Sequence, residues 1–254
     1  MSWKHVRLIA LAILGGLLFS RVLLGTSIYL AVLNMEWTPN VPWYPIAALI
    51  LIVVATYLVS RIWDMGLSIP RNMPWGRIYT FGIAIAVTGF AVATLQGSYN
   101  GQIRGTEGRG GDLSTLFLIV NAFALSLASA TLAELGFRGI MLPRLQAIIG
   151  LWPAILIVGI INTLGHRPVD LYNRWLGLFV MLAGWGYMRH ISGSVIPPLI
   201  THVSMNILLA TGFWFWGPWD LGAMSVPWLV SFAALALISF AVAFYSARSV
   251  AAQQ

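Results

Sequence analysis

The sequence contains no cysteine and very little charge. Asp and Glu number 7 in 254 residues, and charged residues of both signs make up 8%. Without cysteine, disulfides, thiolate catalysis, Cys-ligated zinc and iron–sulfur clusters are all excluded. The shortage of charge excludes a water-soluble globule, because soluble domains carry about 25% charged residues. In place of charge the chain has 59% hydrophobic residues, 12 Trp and a mean hydropathy of +0.85. The apolar residues come in runs long enough to cross a bilayer as helices, not in the alternating segments of a β-barrel. The expectation is an all-α integral membrane protein, with residues 1–254 forming a single membrane domain.

Eight apolar runs fit spans of about 20 residues, near 8–32, 41–60, 78–96, 114–135, 147–165, 172–189, 194–214 and 224–246. Lys4 and Arg7 precede the first, but that run is too long for a secretory signal and has no small-residue cleavage site, so it reads as an anchor. Eight spans place both termini on one side. The basic residues on that side are Lys4, Arg7, Arg61, Arg71, Arg77, Arg138, Arg144, Arg189 and Arg248, against Arg104, Arg109, Arg167 and Arg174 on the other. This excess predicts cytoplasmic termini. Because the arginines are scattered singly, the net charge of +7 reads as a topology signal and not as a nucleic-acid surface. The 97–112 loop, with six glycines in sixteen residues, predicts a flexible outer loop. The run FWFWGPW from Phe213 to Trp219 predicts an aromatic anchor at the outer interface.

Polar groups at membrane depth cost about 2.5 kcal/mol or more each by insertion scales, so those present are candidates for function. They are Arg21, Asn121, Glu134, Arg138, Asn162, His166, His202 and Asn206, and six of them fall between 134 and 206. Glu134 and Arg138 are four apart and can pair on one helix face. His202 and Asn206 share the same spacing, which aligns two polar side chains able to hold an oxyanion. His166 closes the fifth run. A carboxylate, two imidazoles, an Asn and an Arg suit hydrolysis: the carboxylate and one His take a proton from water, while the other His and the Asn steady the developing charge. Two His and a carboxylate also suit a divalent metal. Against that, there is no HExxH and the ligands are spread over three spans, so no cofactor is expected.

These residues resemble a known family. AELGFRGIMLPRLQ, from Ala133 to Gln146, is similar to the EExxxR motif of the CPBP family, which includes type II CAAX prenyl endopeptidases and bacteriocin-processing proteins. GHRP at Gly165 to Pro168 looks like the second motif, and HVSMN at His202 to Asn206 matches the third, HxxxN. The resemblance covers a family core at residues 115–210. It implies an intramembrane glutamic-type protease, metal-independent, in the inner membrane of a bacterium, acting on a membrane protein or lipidated peptide segment. It also implies that Glu134 is the second motif Glu, Arg138 the motif Arg, His166 the water-side His, and His202 with Asn206 the oxyanion pair.

The first Glu of the motif is absent, and Ala133 stands in its place. Alanine can neither accept a proton nor polarise water. Glu134 is no simple substitute, because adjacent helical side chains point about 100° apart. Three accounts follow: an engineered inactivation, a natural member that binds or assembles without cutting, or a helix distorted enough for Glu134 to act as base. The leading expectation is an endopeptidase impaired at Ala133, and the alternative is a non-catalytic membrane scaffold. For Glu134 to approach His166, the fourth helix must run past Arg138 or the fifth begin late, with Gly150 and Pro153 marking the break.

Overall fold

The computed structural model describes residues 3–37, 41–70, 72–100, 115–166, 168–216 and 224–251. Most of the 97–112 loop, Arg167 and residues 217–219 lie outside these, as do the side chains of 213–216. Among the described residues the regular elements are all helices. They are α1 (Trp3–Leu17), a π-helical turn π1 (Leu18–Val22), α2 (Leu23–Trp37), α3 (Tyr44–Ser60), α4 (Trp75–Tyr99), α5 (Thr115–Glu134), a second π-helical turn π2 (Leu135–Met141), α6 (Leu142–Ile149), α7 (Leu151–Leu164), α8 (Pro168–Ser192), α9 (Ile196–Trp216) and α10 (Val226–Ala251). Each of the eight apolar runs lies on one or more of these helices. By length and composition, four stretches among the described residues are long and apolar enough to cross a membrane: Trp3–Glu36, Trp75–Tyr99, Ile119–Ile149 and Val226–Val250. The protein is an all-α membrane protein.

The stretch from 136 to 146, expected as a link between spans, is helical instead. The helix of the fourth run continues through π2 and α6 and stops where Gly150 takes φ 84°, a left-handed conformation that favours glycine. Pro153 falls in the first turn of α7, where a missing N–H costs no helical hydrogen bond. Arg138 is therefore not a loop residue marking the cytoplasmic side: it is fully buried within the helix. Removing it from the tally leaves the sign of the charge asymmetry unchanged.

The chain forms two compact units. The first comprises Met1–Leu67, Thr106–Ile148 and His202–Gly217. Here Tyr44 is fully buried and shares a hydrogen bond with Ser27 at 2.8 Å, while its backbone N–H donates to Asn34 Oδ1 at 3.0 Å. Asn34 in turn donates through Nδ2 to the Val41 carbonyl, so a polar clasp joins α2 to α3 beside an alanine-rich core of Ala31, Ala48, Ala124 and Ala128. Small side chains let helices approach closely where apolar burial alone gives little drive.

The second unit comprises Ser68–Gly105, Ile149–Thr201 and Pro218–Gln254. In it α4 packs against both α8 and α10. A Cβ added to Gly89 would lie 2.7 Å from the Gly177 carbonyl oxygen and 2.8 Å from Met181 Cβ, so α4 and α8 cross with their backbones nearly touching. Thr88 shares a 2.8 Å hydrogen bond with Ser239 of α10. The buried residues of α10, Ser239, Ala243, Ser246, Ala247 and Val250, follow helical spacing along one face. Its other faces expose Val230, Leu237, Ile238 and Phe244, as a helix bordered by lipid does.

Candidate active site

The EExxxR-like segment lies at the junction of α5 with π2. Glu134 is the last residue of α5, and the helix then widens, so that the Leu142 N–H reaches back five residues to the Phe137 carbonyl. Turns of this kind are rare and recur at functional sites. Two glycines permit close packing here. A Cβ on Gly136 would lie 2.7 Å from Ser20 Cβ and 2.8 Å from the Gly16 carbonyl oxygen, and one on Gly139 would lie 3.2 Å from Met65 Cβ. Ser20 belongs to π1 and donates its hydroxyl proton to the Gly16 carbonyl at 2.7 Å. Gly136 of π2 thus lies directly against Ser20 of π1 and the end of α1. The Arg21 guanidinium lies 5.3 Å from the centre of the buried Phe137 ring, within the range of a cation–π attraction.

Glu134 and Arg138 are both fully buried, and Arg138 Nη1 donates to Glu134 Oε1 at 2.8 Å. His202, on α9, approaches the same oxygen, with Nδ1 2.8 Å from Oε1. A carboxylate oxygen only accepts, so the imidazole proton on Nδ1 is donated to it. Oε2 of Glu134 is also buried and makes no hydrogen bond to any described residue. Removing a carboxylate from water is expensive unless its lone pairs are met, and only half of this one is engaged. Asn206 lies one turn beyond His202 on α9 and is partly buried. Ala133 is 8% exposed and offers no polar atom.

His166 belongs to the second unit, just beyond the end of α7. Its Nδ1 lies 3.1 Å from the Asn162 carbonyl oxygen and 3.2 Å from that of Thr163. Both partners accept only, so Nδ1 donates its proton to them. The Asn162 side chain is buried in the same turn. Among the described residues, no three of His, Asp or Glu cluster as a metal site.

Glu134, Arg138 and His202, drawn from the first and third motifs, therefore meet at one oxygen atom. The supporting contacts of Gly16, Ser20 and Arg21 were not legible from the motifs. Their only trace in the sequence is a glycine pair and a lone arginine inside the first apolar run. Residues 114–208 match the family described as Rce1-like, type II CAAX prenyl endopeptidase Rce1-like. The match supports membership of the CPBP family and a protease assignment of the CAAX type for this membrane protein. No curated protein and no solved structure gives a significant match.

Proposed function

We propose that the chain is an intramembrane endopeptidase, metal-independent, that hydrolyses peptide bonds in membrane-proximal or lipidated protein segments, and that Ala133 lowers its turnover. The carrying observation is the convergence of Arg138 and His202 on Oε1 of a fully buried Glu134 whose Oε2 is uncommitted. Such an arrangement fixes an imidazole by a carboxylate and fixes the carboxylate by a guanidinium, which is the support a hydrolytic site needs. Asn206, one turn on, has an amide N–H able to meet an oxyanion, and the family resemblance gives His166 the water-side part. Both termini are assigned to the cytoplasm, and the membrane to the inner membrane of a bacterium.

The test is cleavage of a fluorogenic prenylated peptide by the protein in liposomes, comparing the given chain with Ala133→Glu. General-base catalysis contributes about 10²–10⁴-fold, so Ala133→Glu is expected to raise the single-turnover rate by about a hundredfold. His202→Ala is expected to abolish cleavage in the given chain. Absence of cleavage by either chain, while each stays folded and binds lipidated peptide, would instead establish the scaffold reading.

A further inference from the structure

Helix α8 is broken near its start, and the way the break is held involves a residue outside the three motifs. We propose that Gln96 of α4 is a positioning residue for His166: its carboxamide is wedged into the backbone of α8 and so fixes the turn on which His166 sits. This rests on the peptidase reading, in which His166 has the water-side part.

Three observations carry it. First, the backbone leaves helical geometry at Arg174, with φ −152° and ψ 18°. Tyr172 and Leu176 flank the break four residues apart, so in an unbroken helix the Leu176 N–H would donate to the Tyr172 carbonyl. Here it donates to Gln96 Oε1 at 3.0 Å, and Gln96 Nε2 donates to the Tyr172 carbonyl at 3.2 Å. One helical hydrogen bond is thus replaced by two, through a side chain that is both donor and acceptor. A side chain inserted into the ladder in this way kinks a helix. Second, Asn100, one turn beyond Gln96 on α4, also donates to the Tyr172 carbonyl, at 2.7 Å. Backbone groups released by a broken helix in a bilayer have to be met by neighbouring side chains, and α4 meets both of these. Third, the piece that the break cuts off, residues 168–173, begins two residues beyond His166. His166 ties the other end of the turn to α7, through Nδ1 to the Asn162 and Thr163 carbonyls. The turn is therefore pinned to α7 by the imidazole and to α4 by Gln96, all within the second unit.

The ion pair of Asp170 with Arg174 spans the same break, but its spacing of four is one that an ordinary helix also allows. It does not require the kink, whereas the Gln96 bridge does. Without that bridge the Leu176 N–H can return to the Tyr172 carbonyl and α8 can close towards a straight helix. Segment 168–173 then changes direction and carries the His166 turn with it. A displacement of about 1 Å at a reacting group costs about 10²-fold in rate, so a small swing of this turn is enough to matter.

The experiment uses the full chain in lipid nanodiscs with Gln96→Met, which keeps the side-chain length and loses both hydrogen bonds. Gln96→Asn, one methylene too short to span both backbone groups, is the second variant. The first readout is ¹⁵N NMR of histidine-labelled protein, with signals assigned by their loss in His166→Gln and His202→Gln. In both Gln96 variants the His166 signals are expected to shift or split while those of His202 stay in place. Unmoved His166 signals, or an equal displacement of the His202 signals, overturn the proposal whether or not the chain cleaves. The second readout is cleavage of the fluorogenic prenylated peptide, measured in the Ala133→Glu chain. Gln96→Met is expected to lower the single-turnover rate by about a hundredfold with the half-saturating peptide concentration unchanged, and to cause no further loss once His166→Gln is present. The same fractional loss with and without His166 overturns the proposal. No cleavage by any chain removes the peptidase reading and the catalytic consequence with it, while the His166 signals still decide whether Gln96 sets the turn.

Discussion

In the first unit a carboxylate and a guanidinium meet at zero exposure beside two π-helical turns, whereas the second unit joins its helices through hydroxyls and bare backbone, Thr88 with Ser239 and Gly89 with Gly177. The ion pair described in the second unit, Asp170 with Arg174, keeps part of its surface exposed. Small-residue packing is economical in a bilayer, since it buries no charge and needs no irregular turn. A buried ion pair is not, because replacement by well-packed apolar residues is often neutral or stabilising. Among the described residues, the pair with both side chains at zero exposure belongs to the first unit.

That contrast can be broken most severely at Arg138. Arg138→Met leaves Glu134 buried without its counter-charge and is expected to cost about 3–5 kcal/mol, read as a lowered denaturation midpoint in detergent. Adding Glu134→Leu to the same chain is expected to recover much of the loss, and a double variant no better than Arg138→Met alone would refute this account of the pair. A smaller effect is expected from crowding the close approaches. Gly136→Val and Gly89→Val each force a side chain against backbone, at about 1–3 kcal/mol. Only Gly136→Val is expected to depress cleavage beyond its effect on the folded fraction, since it lies two residues from Glu134. Equal effects on the rate per folded molecule would remove the distinction between the units. The smallest change is expected for Thr88→Val, where an interhelical hydrogen bond in a membrane bundle is worth about 0.6 kcal/mol, with no change in turnover.

The fold class was legible because hydropathy is a property of long runs, and each of the eight apolar stretches coincides with helix. What the runs concealed was the continuation through 136–146. Arg138 and Arg144 looked like loop residues because charge normally ends a span. Arg138 stays inside by pairing with Glu134, while Arg144, only partly buried, donates to the Ile140 carbonyl and lies 5.0 Å from the Trp63 ring centre. Both pairings depend on side chains meeting in three dimensions. The approach of His202 to Glu134 was legible only as two motifs of one family, because 68 residues separate them. The packing of π1 on π2 left less trace still, since a glycine in an apolar run reads the same whether it faces lipid or another backbone.

The widened turn at π2 also has a consequence for chain length. A π turn holds one more residue than the α turn it replaces, so a relative one residue shorter between 135 and 141 need not be misaligned there; it can carry an ordinary helix. Deleting one residue from this turn would let it close to an ordinary helix, with the register on either side kept. Leu142 and Leu145, now fully enclosed, would stay on the face they occupy. In this segment a single gap carries structural information that substitutions do not.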